Sequence, residues 1–328
     1  MQQTKKNMTD YLLDILILTH NHEHFIADCL NSVLSQECSY TFRLVVLDDA
    51  SDDNTLRIIS EISAQSGKDI LVLSNQSNLG ILPSAHKLST YAKSKYVCFL
   101  DGDDYWSYNG KLQAQIDFLE KNHDYVGCFH DAQIKHVEFS NNEEYINRTQ
   151  QDWKTYSQFN RYSKNFMPWE LVNRNIIPTA TLVFRNIDLT AFLSQYKYAA
   201  YSLSWALHLQ IIGGSKFYYF NQVWSVYNDH PAGISKRQKL VEFKKNNIRI
   251  LEGLLLQKNY LYYRYDIYNS ICREFRMIIK SSESKNLSNK EFKILLSQYK
   301  KYLKLVNKND IKQLKEDFIN VRNNRMVE

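Results

Sequence analysis

The sequence contains few of the residues that mark several specialised protein classes. Only 9 of its 328 residues are Gly and 4 are Pro, which excludes collagen-like chains and Pro/Gly-rich disordered segments. The 5 cysteines are scattered, odd in number and form no Cys-x-x-Cys pair, so we expect neither a zinc site nor a disulfide framework. Apolar runs such as Ile15–Leu18 are strand-sized, far below the ~20 residues that a membrane span needs.

The first residues are also poor in apolar side chains. No apolar segment follows the opening Met1-Gln2-Gln3-Thr4, and we therefore expect no secretory signal. Together with the unpaired cysteines, this favours a reducing, cytoplasmic setting.

Charge is plentiful but unevenly distributed. The net charge of +6 is the sum of −6 over residues 1–235 (19 Lys/Arg against 25 Asp/Glu) and +12 over residues 236–328 (22 against 10). The basic part is interpreted as a solvated Lys-rich helical surface, a contact with an anionic membrane, or a module for oligomerisation or acceptor recognition. Nucleic-acid binding is not expected, because no recognised motif is present and the acidic part would repel a phosphate backbone.

Short apolar runs alternate with helical patterns over the first 130 residues, and this predicts βαβ units and a parallel sheet covered on both faces. Further strands are expected at 182–184, 217–220 and 223–227, and a helix at 203–212. Residues 135–175 are more polar and predict loops and short helices. After residue 235 only helical patterns remain. The sequence thus predicts an α/β domain over 1–235 and a basic α-helical domain over 236–328.

Polar clusters follow the predicted strands at their carboxyl ends, where open α/β sheets bind ligands. Asp48-Asp49 follows the second strand and Asp101-Gly102-Asp103-Asp104 follows the fourth. Carboxylates so close together would repel one another unless a hard divalent cation and ligand donors lay between them. The second cluster alone also fits a simple Asp-Gly turn. No P-loop, EF-hand or nucleophile elbow is present.

Five motifs occur together in a fixed order in the first 112 residues. They are 15–21 (ILILTHN), 32–36 (SVLSQ), 46–55 (VLDDASDDNT), 78–80 (NLG) and 99–106 (FLDGDDYW) with Lys111-Leu112. With them, residues 13–130 resemble the nucleotide-binding half of an inverting family 2 glycosyltransferase of the GT-A fold, of the bacterial surface-glycan type. Weaker similarity continues through 177–185 and 226–235, and the resemblance does not extend to the segment from 236 onward.

The resemblance implies a nucleotide-sugar donor, usually a UDP-sugar, bound with Mn²⁺ or Mg²⁺ in a Rossmann-like GT-A domain. Asp49 corresponds to the residue that hydrogen-bonds uracil, and Asp103 and Asp101 correspond to the metal-binding pair. His230 corresponds to a histidine that contacts the metal or the diphosphate in some relatives, although it also fits a surface loop. The remaining donor-binding positions implied are Thr19, His20, Asn21, Asn78, Gly80 and Gly102.

One position departs from the family pattern. Inverting transferases need a base for the acceptor hydroxyl, and relatives place an Asp where this chain has Ser204. A serine hydroxyl cannot act as a carboxylate base. Three explanations remain open: a base elsewhere, with Asp131 or Asp188 as candidates, an introduced substitution, or a natural pseudo-enzyme.

The histidines at 20, 22 and 24 alternate along one loop. Alternate histidines can indicate a metal site, but His20 falls where relatives usually have Tyr, and we expect solvated loop residues here.

The leading hypothesis is a cytoplasmic glycosyltransferase that moves a sugar from a nucleotide diphosphate to an acceptor hydroxyl with inversion. The expected acceptor is a glycan, a lipid-linked oligosaccharide or a protein, and the basic domain is compatible with the inner face of a membrane. The alternative is a pseudo-glycosyltransferase that binds a nucleotide-sugar or a partner without turnover. The sequence leaves homo-oligomerisation open.

Overall fold

The computed structural model describes residues 11–139, 145–147, 154–195, 202–233, 236 and 239–306. The chain divides into two compact units, one of residues 1–171 and 175–237 and the other of residues 172–174 and 238–328.

The first unit alternates strands and helices as the sequence predicts. Its strands are β1 (Leu13–Thr19), β2 (Phe42–Asp48), β3 (Ile70–Ser74), β4 (Tyr96–Asp101), β5 (Tyr105–Trp106), β6 (Gly127–Phe139), β7 (Tyr145–Asn147), β8 (Lys154–Thr155), β9 (Asn165–Phe166), β10 (Val183–Arg185) and β11 (Phe217–Asp229). Its helices are α1 (Ile26–Leu34), α2 (Thr55–Ser66), α3 (Ile81–Ser89), α4 (Lys111–Lys121), α5 (Tyr156–Phe159), α6 (Pro168–Val172), α7 (Leu189–Gln195) and α8 (Leu203–Ile212).

The strands form one sheet in the order β3-β2-β1-β4-β10-β6-β11-β5. Strands β3, β2, β1 and β4 are parallel, and β10 runs antiparallel between β4 and β6. Strand β1 lies between β2 and β4 and is almost wholly buried, which explains its continuous apolar sequence. This mostly parallel sheet with covering helices confirms the predicted α/β class.

Apolar side chains of β1, β4, α1 and α4 form the main core of this unit. They include Ile15, Ile17, Ile26, Leu30, Val33, Cys98, Leu100, Leu112, Ile116 and Leu119. Lys111 is also fully buried, with its Nζ 4.1 Å from the centre of the Trp106 ring. Its Nζ has no hydrogen-bond partner within the described part of the chain, and burial lowers the pKa of Lys111 to about 8.

The structure corrects the sequence prediction at three strands. Residues 217–220 and 223–227 form one strand, β11, whose pairing with β6 shifts register between Phe220 and Val223. Such an irregularity lets a strand continue across extra residues, here the polar pair Asn221-Gln222. Strand β6 runs to Phe139, into the segment for which the sequence predicts loops and short helices, because β11 pairs with it as far as His136.

The second unit is helical, as predicted. It contains α9 (Leu240–Leu254), α10 (Arg264–Lys280) and α11 (Asn289–Leu305). Ser288 and Glu291 form a capping box at the start of α11. Glu274 of α10 is buried and accepts hydrogen bonds from Lys244 and Asn247 of α9, at 3.0 and 2.8 Å.

Within the described ranges, no helix combines the length and apolarity that crossing a membrane would require. Residues 307–328, for which the sequence predicts helix, lie outside the described residues, as do Ile234 and Ser235.

Candidate active site

The polar ends of three strands meet at one edge of the sheet. Because β1 lies between β2 and β4, Thr19 is paired with Asp48 on one side, and Leu18 with Asp101 on the other. The backbone N–H of Asp49 donates to the carbonyl of Thr19 at 2.9 Å. The sequence-predicted clusters are therefore brought together where α/β sheets bind ligands.

The turn that follows β4 needs glycine at its second position. Gly102 donates its N–H to the carbonyl of Leu18 at 3.0 Å, which draws the turn against β1. A Cβ at Gly102 would lie 2.5 Å from Thr19 Oγ1 and 3.0 Å from His22 Nδ1. Only a residue without a side chain permits this approach.

The end of β11 forms hydrogen bonds with the acidic turn, which consists of Asp101-Gly102-Asp103-Asp104. The backbone N–H of Asn228 donates to Asp104 Oδ1 at 3.0 Å, and Asn228 Nδ2 donates to the carbonyl of Asp103 at 2.5 Å. His230, which is 3% exposed, lies with its Nε2 3.0 Å from Asp103 Oδ2. His230 therefore lies against the acidic turn and is not a solvated surface residue.

Hydrogen bonds join the loop between β1 and α1 to the loop after β2. Asn21 adopts a left-handed conformation (φ 56°), its N–H donates to Ser51 Oγ at 2.9 Å, and its Oδ1 accepts from the N–H of Asp52 at 3.0 Å. The N–H of His22 donates to Thr55 Oγ1 at 2.8 Å. These bonds hold the His22 side chain at a defined place beside the acidic turn.

His22, Asp103 and His230 bring three metal-ligating atoms together. The Nε2 of His22 lies 3.6 Å from Asp103 Oδ2, the atom that His230 also contacts. The ligand atoms of the three residues all lie within 4.8 Å of one another. Asp101, the other metal ligand predicted from the sequence, is not a member of this group.

The carboxyl groups of the turn differ in their electrostatics. Burial raises the pKa of Asp101 to about 7, assisted by the charge of Asp103 and opposed by a hydrogen bond from Thr179. Burial and the charges of Asp103 and Asp101 raise the pKa of Asp104 well above its ordinary value. Burial acts to raise the pKa of Asp103, but the interactions with His22 and His230 outweigh burial and lower this pKa. Asp103 is therefore the carboxylate of the turn that ionises most readily.

A second network joins four predicted donor-binding residues. Asp49 is 4% exposed, and its carboxylate accepts from the N–H groups of Leu79 and Gly80 at 3.0 and 2.9 Å. Asn78 Nδ2 lies 2.9 Å from His20 Nε2. Gly80 has φ 83°, a conformation that favours glycine.

The pKa of Asp49 follows from this network. Burial acts to raise it, but the hydrogen bonds from Asn75, Leu79, Ser84 and Gly80 outweigh burial and lower it. The ionised Asp49 thereby shapes the 78–80 loop. The buried Nδ1 of His20 has no hydrogen-bond partner among the described residues.

A family model matches more than half of the chain. The model described as Glycosyl transferase family 2 covers residues 14–188, which include the acidic turn and both loops. The chain belongs to glycosyl transferase family 2. The expectation drawn from the motifs is thereby confirmed.

Related proteins from other species match parts of this chain with moderate identity. An uncharacterized protein of Mycobacterium tuberculosis is 24% identical over 226 residues, which cover 68% of this chain and 60% of that protein. WfgD of Escherichia coli, a UDP-Glc:alpha-D-GlcNAc-diphosphoundecaprenol beta-1,3-glucosyltransferase, is 36% identical over 115 residues, which cover 35% of this chain and 44% of WfgD. The chain thus spans less than two thirds of the length of these relatives.

Solved structures agree with the GT-A fold of family 2. TarS of Staphylococcus aureus, residues 1–349 in complex with UDP-GlcNAc, superposes with a TM-score of 0.60 at 16% identity. The match covers 90% of this chain and 81% of that chain. The crystal structure of the same TarS fragment with UDP gives a TM-score of 0.55 at 17% identity, covering 85% of this chain and 76% of that one.

The residue at the family base position and both candidate bases accept local hydrogen bonds. Ser204, in the first turn of α8, accepts a hydrogen bond from Asn175 Nδ2 at 3.0 Å. Asp131 is buried, and its Oδ1 accepts from the N–H groups of Ala132 and Ser157. Asp188 accepts from the N–H of Ala191 at the start of α7. Neither Asp131 nor Asp188 belongs to the group formed by His22, Asp103 and His230.

Sequence reasoning missed His22. The sequence had suggested a solvated loop residue, yet the His22 side chain is only 18% exposed and faces Asp103. The alternation of His20, His22 and His24 was the available signal. This alternation could not single out His22, because Asp103, which His22 faces, lies far along the chain and is brought close only by the fold.

Proposed function

We propose that the protein transfers a sugar from a UDP-sugar to an acceptor hydroxyl with inversion at the anomeric carbon, assisted by Mn²⁺ or Mg²⁺. The transferred sugar is a hexose or an N-acetylhexosamine, and the product belongs to a surface polysaccharide or another glycoconjugate. The observation that carries the proposal is the convergence of the acidic turn and His230 at the carboxyl edge of β1 and β4.

The residues of the turn fit a divalent cation. Asp103 offers an ionised carboxylate and His230 an imidazole nitrogen 3.0 Å away, and both are common ligands of such ions. Asp101, the first residue of the turn, would face the ribose or a metal-bound water. A bound cation would supply charge neutralisation for the departing diphosphate.

The network around Asp49 supports a role in binding the nucleoside. Its ionised carboxylate fixes the 78–80 loop, and His20 contacts Asn78 of the same loop through its Nε2. We assign the uracil to the surroundings of Asp49, with Thr19, Asn21, Asn78 and Gly102 shaping the loops that enclose it.

The acceptor is proposed from the relatives and from the second unit. WfgD is named for a diphosphoundecaprenol-linked acceptor, and a lipid-linked acceptor would bring this protein to an anionic membrane from the cytoplasm. The turn after α9 exposes Leu256 (88%), Leu261 (55%) and Tyr262 (59%) beside Lys258. Apolar and basic side chains of this kind suit a membrane interface.

Ser204 favours a second candidate, a protein that binds the nucleotide-sugar without turnover. Its hydroxyl bonds to Asn175 and offers no carboxylate for the acceptor proton. Under the transferase proposal the base is a carboxylate elsewhere. Asp131 is the first to test, although its Oδ1 already accepts two backbone N–H groups.

Donor hydrolysis separates the two candidates. UDP-, GDP- and TDP-sugars would be incubated with Mn²⁺ and the protein, its Ser204→Asp and Asp103→Asn variants, and Asp124→Asn as a matched exposed control. We expect slow hydrolysis of a UDP-sugar that rises with Ser204→Asp, disappears with Asp103→Asn and is unchanged with Asp124→Asn. Metal-dependent UDP binding without hydrolysis in any variant would instead establish the non-catalytic candidate.

A further inference from the structure

We propose that His22 is a third protein ligand of the cation at Asp103 and His230, and that this site of two imidazoles and one carboxylate prefers a transition-metal ion such as Mn²⁺ or Co²⁺ to Mg²⁺. The proposal rests on the proposed function in assuming a cation at this turn. It goes further by assigning a ligand from the β1–α1 loop and by ranking the ions.

The distances suit direct coordination. Two imidazole Nε2 atoms approach the same carboxylate oxygen, at 3.0 Å for His230 and 3.6 Å for His22. An octahedral ion with ligand bonds of about 2.1 Å sets neighbouring donor atoms about 3 Å apart. Small side-chain rotations would therefore bring all three atoms onto one ion.

The orientation of His22 is already fixed. Its Nδ1 lies 3.1 Å from Thr19 Oγ1 and its backbone N–H is bonded to Thr55. Metal-binding histidines are usually held in this way through the other ring nitrogen, which leaves Nε2 for the metal. The 3.6 Å between His22 Nε2 and Asp103 Oδ2 is too long for a hydrogen bond, so His22 is aimed at the carboxylate without bonding to it.

Phe25 supports both imidazoles from the same loop. Its ring centre lies 4.6 Å from that of His230 and 6.2 Å from that of His22. The two imidazoles are nearly perpendicular to each other, at 86°. This packing limits the rotation of the histidines and keeps their ligand atoms on the side of Asp103.

The ligand set determines the preferred ion. Mg²⁺ favours oxygen ligands and retains its waters, whereas imidazole nitrogen favours first-row transition metals, with affinity rising from Mn²⁺ to Co²⁺. With two nitrogens and one oxygen from the protein, about three octahedral positions remain for diphosphate oxygens and water. The site is thus expected to bind Co²⁺ or Mn²⁺ even without nucleotide.

Metal titration without nucleotide tests the assignment. The full chain, His22→Gln and the control His24→Gln would be titrated with Co²⁺, Mn²⁺ and Mg²⁺ by calorimetry, and folding would be checked by circular dichroism. His24 is exposed on the same loop. We expect Co²⁺ and Mn²⁺ to bind more tightly than Mg²⁺, His22→Gln to weaken Co²⁺ binding about tenfold or more, and His24→Gln to have no effect.

A second variant keeps the test decisive if His22→Gln folds poorly. His22→Cys would place a thiolate on the ion, and Co²⁺ would then give a thiolate-to-metal charge-transfer band that His24→Cys and the unaltered protein lack. The proposal is overturned if the unaltered protein binds no Co²⁺, if Mg²⁺ binds as tightly as Co²⁺, or if position 22 affects neither affinity nor spectrum. UDP binding measured on the same samples distinguishes that failure from a failure of the proposed function.

Discussion

Replacing Gly102 by alanine would disrupt the acidic turn at its closest contact with β1. The new Cβ would lie 2.5 Å from Thr19 Oγ1 and 2.6 Å from Thr19 Cβ. Thr19 Cβ cannot rotate away, because its position is set by the backbone of β1. The turn cannot retreat easily either, since Gly102 is bonded to the carbonyl of Leu18 at 3.0 Å.

The expected cost of Gly102→Ala is about 1–3 kcal/mol of overpacking. At about 2–4 °C per kcal/mol for a domain of this size, the melting temperature of the first unit should fall by about 2–12 °C. UDP binding in the presence of Mn²⁺ should weaken as well, because the Cβ also approaches His22 Nδ1 at 3.0 Å. Calorimetric melting and UDP titration would measure the two effects.

Gly67→Ala is the matched control. A side chain at Gly67 is also unfavourable, because the φ of this residue is 63°. Unlike at Gly102, however, no atom lies within 4 Å of the added Cβ. This variant should lose about 1 kcal/mol of stability and bind UDP unchanged. The reasoning would be refuted if Gly102→Ala melted and bound UDP like the unaltered protein.

Three further predictions concern stability. Asp14→Ala should cost about 3–5 kcal/mol of stability, because it leaves the buried Arg43 guanidinium without the carboxylate that lies 2.8 Å from it. Glu61→Ala, which removes an exposed pair, should cost about a tenth of that, about 0.3–0.5 kcal/mol. Equal losses in urea unfolding would contradict this prediction. Lys111→Met should raise the melting temperature below pH 8, because burial lowers the pKa of Lys111 to about 8. The destabilisation caused by the buried charge is fully present below that pH and declines as the pH rises toward the ordinary lysine pKa. A rise in melting temperature that is independent of pH would count against burial of the charge as the cause. Ser288→Ala should lower the stability of the second unit by about 1 kcal/mol through loss of the α11 cap, and an unchanged melting transition of that unit would disprove it.

Much of the fold follows from local patterns in the sequence. The alternation of apolar runs and helical patterns over the first 130 residues predicted the parallel sheet that β1, β2, β3 and β4 form. Strand β11 was misjudged because a register shift against β6 is a property of the pair, which the polar residues between Phe220 and Val223 conceal. Local sequence patterns describe single segments and carry no information on how two strands pair.

The site was predictable only in part for the same reason. Strand ends located Asp49 and the acidic turn, because parallel strands place their carboxyl ends together. The contact between His22 and Asp103 joins residues far apart in the sequence, and no local pattern distinguishes His22 from its neighbours in the loop. The engagement of Asp131 with backbone N–H groups was equally invisible before the fold was known.

The central claim is that the turn containing Asp103 binds a UDP-sugar together with a divalent cation. Calorimetric titration of UDP, with and without Mn²⁺, into the unaltered protein, Asp103→Asn and the exposed control Asp124→Asn tests it most directly. The account predicts Mn²⁺-dependent UDP binding that is lost in Asp103→Asn and retained in Asp124→Asn. UDP binding that needs neither Mn²⁺ nor the Asp103 carboxylate, or no UDP binding at all, would contradict it.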